Sequence, residues 1–462
     1  MIERRVKVAV IGGGIAGLTS AYLLLKKGID VICLERETAP GGNIRTTKKD
    51  GFLLERGPYA FLSSSRWVWR LVKEVKLEDF LISSSPFSNQ RFIFRNGKLE
   101  LLPTGLISFL RSGFLSTSSK IRLLCEPFIK GGAKEQETAW EFFERRFGKE
   151  FTTFVASPFA SGVYAGDLKS LGARSAFSKF WSFEKESGSM IIGAFNYMMR
   201  MKKEDKKEGL KKRSGLWSFK DGLGFITQYL GSELGDRLFL SFGVNSIEKL
   251  KDGIAIYGNN LKVICDAVII ATPPFESAQI LRNSYPDAGS ILASIPMPPV
   301  TIVQWSPPKE VENPFPEGFG FLIPPVYRFS SLGTIFYSDI FPSLFEDGNR
   351  KLYGTFVGGA LNPDAGLLPE EKILGRVLSE HEIFLGKEIR KPLFVNIAKF
   401  PRAIAQLLPD HNEKIEKVME ILERNERVFL AGGYIRGVGM DSAIESAFEV
   451  VDKVMKSLKI VF

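Results

Sequence analysis

Apolar and polar positions along this chain switch between two rhythms, and the switch is sharpest near its start. Val6 to Ile11 forms a short apolar run that reads as a buried strand, and Leu18, Ala21, Tyr22 and Leu25 then recur at the spacing that places them on one helix face. A second apolar run, Val31 to Leu34, completes a strand–helix–strand unit. Much further along, Leu238 to Leu240, Val244 to Leu250, Ile254 to Tyr257 and Leu261 to Ile264 read as short strands, with Gly258-Asn259-Asn260 as a hairpin turn. Asp266 to Pro274 reads as a further strand and turn. Near the end, Val428 to Ala431 predicts a short buried strand. An amphipathic stretch from Ala443 to Leu458 follows it, with Ile444, Ala447, Phe448, Val451 and Val454 on one side.

Two regions interrupt this pattern. The first opens with a hairpin, Arg91 to Phe94 and Leu99 to Leu102 about an Asn96-Gly97 turn, and then becomes helical and rich in Phe, Leu and Ile between Thr104 and Ile129. Arg111, Lys120, Arg122 and Lys130 punctuate that stretch. Apolar groups interleaved with cations suit a helix lying in a membrane interface, and equally a plain core helix pair. The second region holds strand-like segments such as Gly333 to Tyr337 and Tyr353 to Gly358, and reads as a mixed sheet.

The junction after the first strand carries chemistry. Gly12-x-Gly14-x-x-Gly17 sits between strand and helix, and Glu35 ends the second strand. Gly12 permits the tight turn, Gly14 lets the backbone approach a pyrophosphate, and Gly17 allows close helix–strand packing. The helix N-terminus faces the phosphates and Glu35 takes a ribose hydroxyl. This is the pattern of a dinucleotide site.

Composition narrows the class. The chain has 462 residues, 44% hydrophobic and 25% charged, as expected of a soluble globular protein of about three domains. Its three cysteines, Cys33, Cys125 and Cys265, lie far apart, and its two histidines, His381 and His411, argue against a His-based metal or acid–base centre. No metal site is expected. The sequence shows no signal peptide and no apolar run long enough to span a bilayer, so a cytoplasmic or membrane-surface location is expected. The net charge of +10 is partly concentrated in KKEDKKEGLKKR, residues 202–213, read as a solvated loop or helix face. No nucleic-acid module accompanies it.

Downstream of the second strand, Gly41-Gly42-Asn43-Ile44-Arg45 and then Glu55-Arg56-Gly57-Pro58 resemble the flavin monoamine oxidase superfamily, as does the C-terminal Gly432-Gly433-Tyr434 followed by Gly437-Val438-Gly439-Met440. Three more segments resemble the protoporphyrinogen oxidase family within it: SPFASGVYAGD at 157–167, GFGFLIP at 318–324 continuing through LGTIFYS to FP, and TFVGG at 355–359. The Gram-positive coproporphyrinogen oxidases share the flavin motifs and are the alternative. Flavin amine oxidases, carotenoid desaturases and the flavin-free GDP-dissociation inhibitors are more distant. One family segment, I-P-Q-Y-x-x-G-H, is altered here to Ile404-Ala405-Gln406-Leu407-Leu408-Pro409-Asp410-His411.

The resemblance implies FAD as cofactor, bound by Gly12, Gly13, Gly14, Ile15, Ala16, Gly17, Glu35, Arg36, Gly42, Asn43, Arg45, Gly57, Pro58, Tyr59, Ala60, Val244, Val438, Gly439 and Met440. It implies six-electron oxidation of protoporphyrinogen IX to protoporphyrin IX, with dioxygen as acceptor. Arg91 would meet a propionate, Leu322, Ile335 and Phe356 would sandwich the macrocycle, and Gly162 would offer its carbonyl to a pyrrole N–H. No side-chain base is required. The implied architecture is a Rossmann-like α/β FAD-binding domain (1–86, 215–290, 400–462), an α+β mixed-sheet substrate domain (87–100, 291–399) and a helical, membrane-associated domain (101–214). The expected partners are the porphyrinogen, a membrane surface on the inner face of the cell membrane and other haem-pathway enzymes, but no nucleic acid, with the chain a monomer or homodimer.

Overall fold

A computed structural model describes residues 2–207, 214–259, 261–308, 314–345, 350–386, 388–389, 391–424 and 427–459. Of the basic run at 202–213, residues 202–207 end helix Met190–Lys207, whereas 208–213 lie outside the described residues, as does Asn260 of the expected hairpin turn. Where three domains were expected, two compact units form: residues 1–83, 216–296 and 411–462 make one, and 84–215 and 297–410 the other. The helical segment therefore shares a unit with the mixed sheet, and the boundaries fall at 83, 296 and 411 rather than 86, 290 and 400.

The first unit is built on a sheet whose neighbours run Leu238–Phe239, Val31–Leu34, Ile2–Ile11, Leu261–Ile270, Gly253–Gly258 and Val244–Leu250. Leu261–Ile270 is one strand where two were expected. Asp266, the start of the second expected strand, lies within the continuous one, with Lys7 Nζ 2.6 Å from its carboxylate. The outer edge of this strand is shared. Its first half pairs antiparallel with Gly253–Gly258, and its second half pairs parallel with Val428–Leu430. Helices Ile15–Lys26 and Met440–Ser457 join one apolar core through Leu18, Ala21, Tyr22, Ile444 and Val451.

The second unit is organised by a seven-stranded sheet in the order Phe394–Phe400, Val300–Ser306, Tyr353–Gly358, Ser331–Phe336, Gly320–Leu322, Arg91–Arg95, Lys98–Leu101. Asn96 and Gly97 both have positive φ, 52° and 76°, the geometry of the two-residue hairpin turn their sequence predicts. One face packs Phe94, Trp305, Phe321 and Phe336 against Ile373, Val377 and Phe384 of helix Glu370–Leu385. The expected strand 333–337 is Ser331–Phe336, and Tyr337 opens a short helix.

The apolar stretch at 104–129 is three short helical pieces, Leu106–Arg111, Thr117–Leu124 and Glu126–Phe128. Phe114, Leu115 and Leu123 are buried, whereas Ile107, Ile121, Leu124 and Phe128 are exposed, Phe128 by 87%. Neither a single interfacial helix nor a fully buried pair describes it. Among the described residues no helix is long and apolar enough to cross a membrane.

Candidate functional site

In the first unit the three glycines after the opening strand divide into two kinds. Gly12 has φ +107° and a Cβ there would lie 2.8 Å from Ala271 O; at Gly17 it would lie 1.9 Å from Gly12 O. Both are demanded by the protein's own backbone. Gly14 differs: a Cβ there would meet nothing within 4 Å. It is the N-cap of helix Ile15–Lys26, without a side-chain cap and without an acid in the first turn, so no capping side chain takes the N–H groups of that turn. An anion with backbone-hugging phosphates fits such a cradle.

Glu35 is buried beside it. One carboxylate oxygen accepts Gly13 N–H at 2.5 Å and the other accepts Glu37 N–H at 2.8 Å. Each oxygen keeps lone-pair capacity for a ribose hydroxyl. Arg36 extends to Glu276 at 2.7 Å. Glu35 N–H donates to Phe239 O and Phe242 N–H to Glu35 O, which brings the start of Val244–Leu250, and so Val244, to the same end of the sheet.

The Gly41-Gly42 segment closes the other side. Gly41 N–H donates to Gly13 O at 2.7 Å, and a Cβ at Gly42 would lie 3.3 Å from Gly14 Cα. Arg45, expected among the FAD-binding residues, has its guanidinium on its own loop, with Nε donating to Pro40 O at 3.1 Å and Nη2 to Ala39 O. Asn43 and Gly57 meet through their backbones, since a Cβ at Gly57 would lie 2.6 Å from Asn43 O, and Pro58, Tyr59 and Ala60 follow half-buried. Glu55 is buried between Leu223 N–H at 2.7 Å and Thr46 Oγ1 at 2.8 Å, and burial pushes its carboxyl up to about 7.

A second helix N-terminus arrives from the C-terminal segment. Gly439 caps Met440–Ser457 without a side-chain cap, and a Cβ there also meets nothing within 4 Å. Asp441, in the first turn, would oppose negative charge at this end. Its carboxylate is instead taken by Trp67 N–H at 2.8 Å and Val68 N–H at 3.0 Å, which cap helix Arg66–Glu74. The sequence gives no local sign of this cap, because its partners lie far back in the chain.

In the second unit, the expected substrate residues share one sheet face. Pairing sets Gly320 opposite Ile335 and Arg91, Leu322 opposite Gly333, Gly333 opposite Phe356, and Ile335 opposite Gly354. Residues directly opposed in a ladder point to the same side, so Arg91, Leu322, Ile335 and Phe356 lie together with three glycines between them. Leu322, Ile335 and Phe356 are half-buried on this face. The opposite face presents Thr334 and Thr355 to His381, whose Nε2 lies 2.9 Å and 3.2 Å from their hydroxyls. Gly162 packs on Leu322 from helix Ser157–Tyr164. Gly162 lies in the last turn, where carbonyls lack an intrahelical donor.

The altered C-terminal segment has a visible task. Gln406 Nε2 donates to Tyr164 O at 2.9 Å and to Ile404 O at 3.0 Å, which holds the turn after the helix where Ala165 adopts φ +48°. His411 Nε2 sits 2.7 Å from Tyr434 O in the first unit. Both residues survive from the family pattern, while its Pro and Tyr are replaced here by Ala405 and Leu407.

Comparison with known proteins agrees with this geometry. The family model for flavin containing amine oxidoreductases matches residues 15–455. A chloroplastic protoporphyrinogen oxidase of Arabidopsis thaliana is 31% identical over 96% of this chain and 87% of its own length. The coproporphyrinogen III oxidase of Bacillus subtilis is 25% identical over 99% of this chain and 100% of its own. Among solved structures, one from Exiguobacterium sp. 255-15 superposes with a TM-score of 0.81 at 21% identity, covering 99% of both chains. Putrescine oxidase gives 0.68 at 15% identity, over 98% of this chain and all of the other.

Proposed function

The chain belongs to the flavin-containing amine oxidoreductase family and, within it, to the protoporphyrinogen oxidases, and we propose that it oxidises protoporphyrinogen IX to protoporphyrin IX with FAD and dioxygen. The observation that carries the reading is the face formed by Arg91, Leu322, Ile335 and Phe356, an apolar wall with one cation at its edge. That is the chemistry of a flat, greasy macrocycle bearing carboxylates. The open cradle at Gly14, the free lone pairs of Glu35 and the uncapped turn at Gly439 suit FAD.

Bound FAD supplies a two-electron acceptor, so three rounds remove six electrons as three hydrides, three protons leave from the substrate, and three dioxygen molecules become three hydrogen peroxides. The protein's part is positioning. Arg91 pairs with a propionate through charge-assisted hydrogen bonds. Leu322, Ile335 and Phe356 exclude water from the ring and fix its plane. The carbonyl of Gly162 accepts a pyrrole N–H and orients it. Electron-rich pyrroles stabilise the developing cation, so no side-chain base takes part.

The exposed Ile107, Ile121, Leu124 and Phe128, interspersed with Arg111, Lys120 and Lys130, support attachment to the inner face of the cell membrane, where a poorly soluble product is best released. Flotation with anionic vesicles should recover the protein, and Phe128→Asp should reduce recovery. Equal recovery would overturn attachment through this segment.

Porphyrin fluorescence followed with purified protein, with protoporphyrinogen IX and coproporphyrinogen III supplied in parallel, tests the substrate. Faster turnover of protoporphyrinogen is expected. Preference for coproporphyrinogen would move the chain to the activity named for the Bacillus subtilis relative.

A further inference from the structure

Arg91 opens its strand with an exposed side chain, and its guanidinium carbon lies 4.7 Å from the ring centroid of Phe319. Among the described residues it forms no ion pair, so the protein leaves its charge unneutralised. A free arginine on a hairpin samples many rotamers and loses that freedom when it captures an anion. Here the backbone brings cation and ring together. Phe319 N–H donates to Gln90 O at 2.8 Å, and Gly320 pairs with Arg91 in parallel register.

Gly320, which follows Phe319, is required by the sheet itself. Its φ is +136°, and a Cβ there would lie 2.0 Å from Thr334 O. Gly320 sits beside Arg91 in this register without a side chain of its own, and the guanidinium lies over the ring of Phe319. Contact through the planar face leaves the N–H donors at the edge of the guanidinium available for a carboxylate.

We infer that Phe319 is a positioning residue for the Arg91 anchor, seating the guanidinium in advance for a propionate of the porphyrinogen. The inference rests on the reading of Arg91 as the propionate contact. Phe319 acts through Arg91 and lowers the ordering required when substrate arrives.

The test compares wild type, Phe319→Leu, Phe319→Tyr, Arg91→Ala and the Phe319→Leu/Arg91→Ala double variant. Each is assayed with protoporphyrinogen IX and its dimethyl ester, alongside binding of protoporphyrin IX by quenching of tryptophan emission. Phe319→Leu should raise KM and the porphyrin Kd about two- to five-fold, the size of an exposed cation–π contact, with kcat unchanged. Phe319→Tyr keeps the ring and should restore both. The effect should vanish in the Arg91→Ala background and with the ester. An equal loss in that background, or no change in KM for Phe319→Leu while Arg91→Ala raises it, overturns the seat alone. An unchanged KM for Arg91→Ala overturns the propionate contact itself, and the seat with it.

Discussion

Leu322 occupies the place where a side chain at Gly162 would begin: a Cβ on Gly162 would lie 2.3 Å from Leu322 Cδ2. The atom in the way is the tip of a flexible, half-buried side chain, so Gly162→Ala should displace Leu322 and leave the fold intact. Stability should change by less than about 1 kcal/mol, since alanine is the better helix former. KM for the porphyrinogen should rise about ten-fold, the scale of a disturbed apolar contact. Thermal melting and steady-state kinetics on the same preparation check both halves.

Gly14 and Gly17 should respond differently to the same substitution. Gly17→Ala drives a Cβ into Gly12 O and should give insoluble protein. Gly14→Ala meets nothing in the protein, so the apoprotein should melt within about 1 kcal/mol of wild type, the cost of an alanine N-cap. Its FAD affinity should nevertheless fall at least about ten-fold if the open space belongs to the pyrophosphate. Flavin absorbance retained after gel filtration reads this directly. Full retention would remove Gly14 from the cradle.

Arg146 is fully buried, with Nε 2.7 Å from Glu126 and a second carboxylate, Glu184, 3.4 Å away. Glu126 also accepts Met190 N–H at 2.8 Å and Ile191 N–H at 3.2 Å, at the start of helix Met190–Lys207. Arg146→Met would strand a buried carboxylate and should lower unfolding stability by about 3–5 kcal/mol. Adding Glu126→Gln should recover part of that loss. Urea unfolding of the single and double variants measures it.

His381 should make the second unit acid-sensitive. Burial holds its imidazole down at about 4, against an ordinary value of 6.5. Folding therefore disfavours the protonated ring. Its contribution is complete above pH 6.5 and is lost as pH falls toward 4, about 3 kcal/mol in all. His381→Gln should flatten that slope, at some loss of stability near neutrality. An unchanged slope between pH 7.5 and 5 in urea titrations would exclude the ring as its source.

The nucleotide half was legible because its signals are local. Gly12, Gly14 and Gly17 act within one turn, and the strands on either side announce themselves by unbroken apolar runs. The substrate face was legible only through family resemblance. Arg91, Leu322, Ile335 and Phe356 come together by strand pairing between distant segments, and nothing in their immediate neighbours states the register. What escaped altogether were contacts with no sequence pattern. Asp441 capping a helix at Trp67, Gln406 holding the turn after Tyr164, and Phe319 under Arg91 each depend on two segments meeting. The single strand Leu261–Ile270 was read as two, Leu261 to Ile264 and a second from Asp266; its continuity shows only in the pairing along its whole length with Ile2–Ile11.

The pairing of Ile2–Ile11 has a consequence for biogenesis. One edge of this strand meets Val31–Leu34 almost as soon as it is made, but the other waits for Leu261–Ile270. At about 5–20 residues per second, that wait on the ribosome is on the order of ten to fifty seconds. Val428–Leu430, which pairs parallel with Leu261–Ile270 in turn, emerges later still. Throughout, an apolar strand edge stands open to any chain that can pair with it. Yield in cells should therefore depend on how well nascent chains are sheltered while that edge waits for its late-made neighbours.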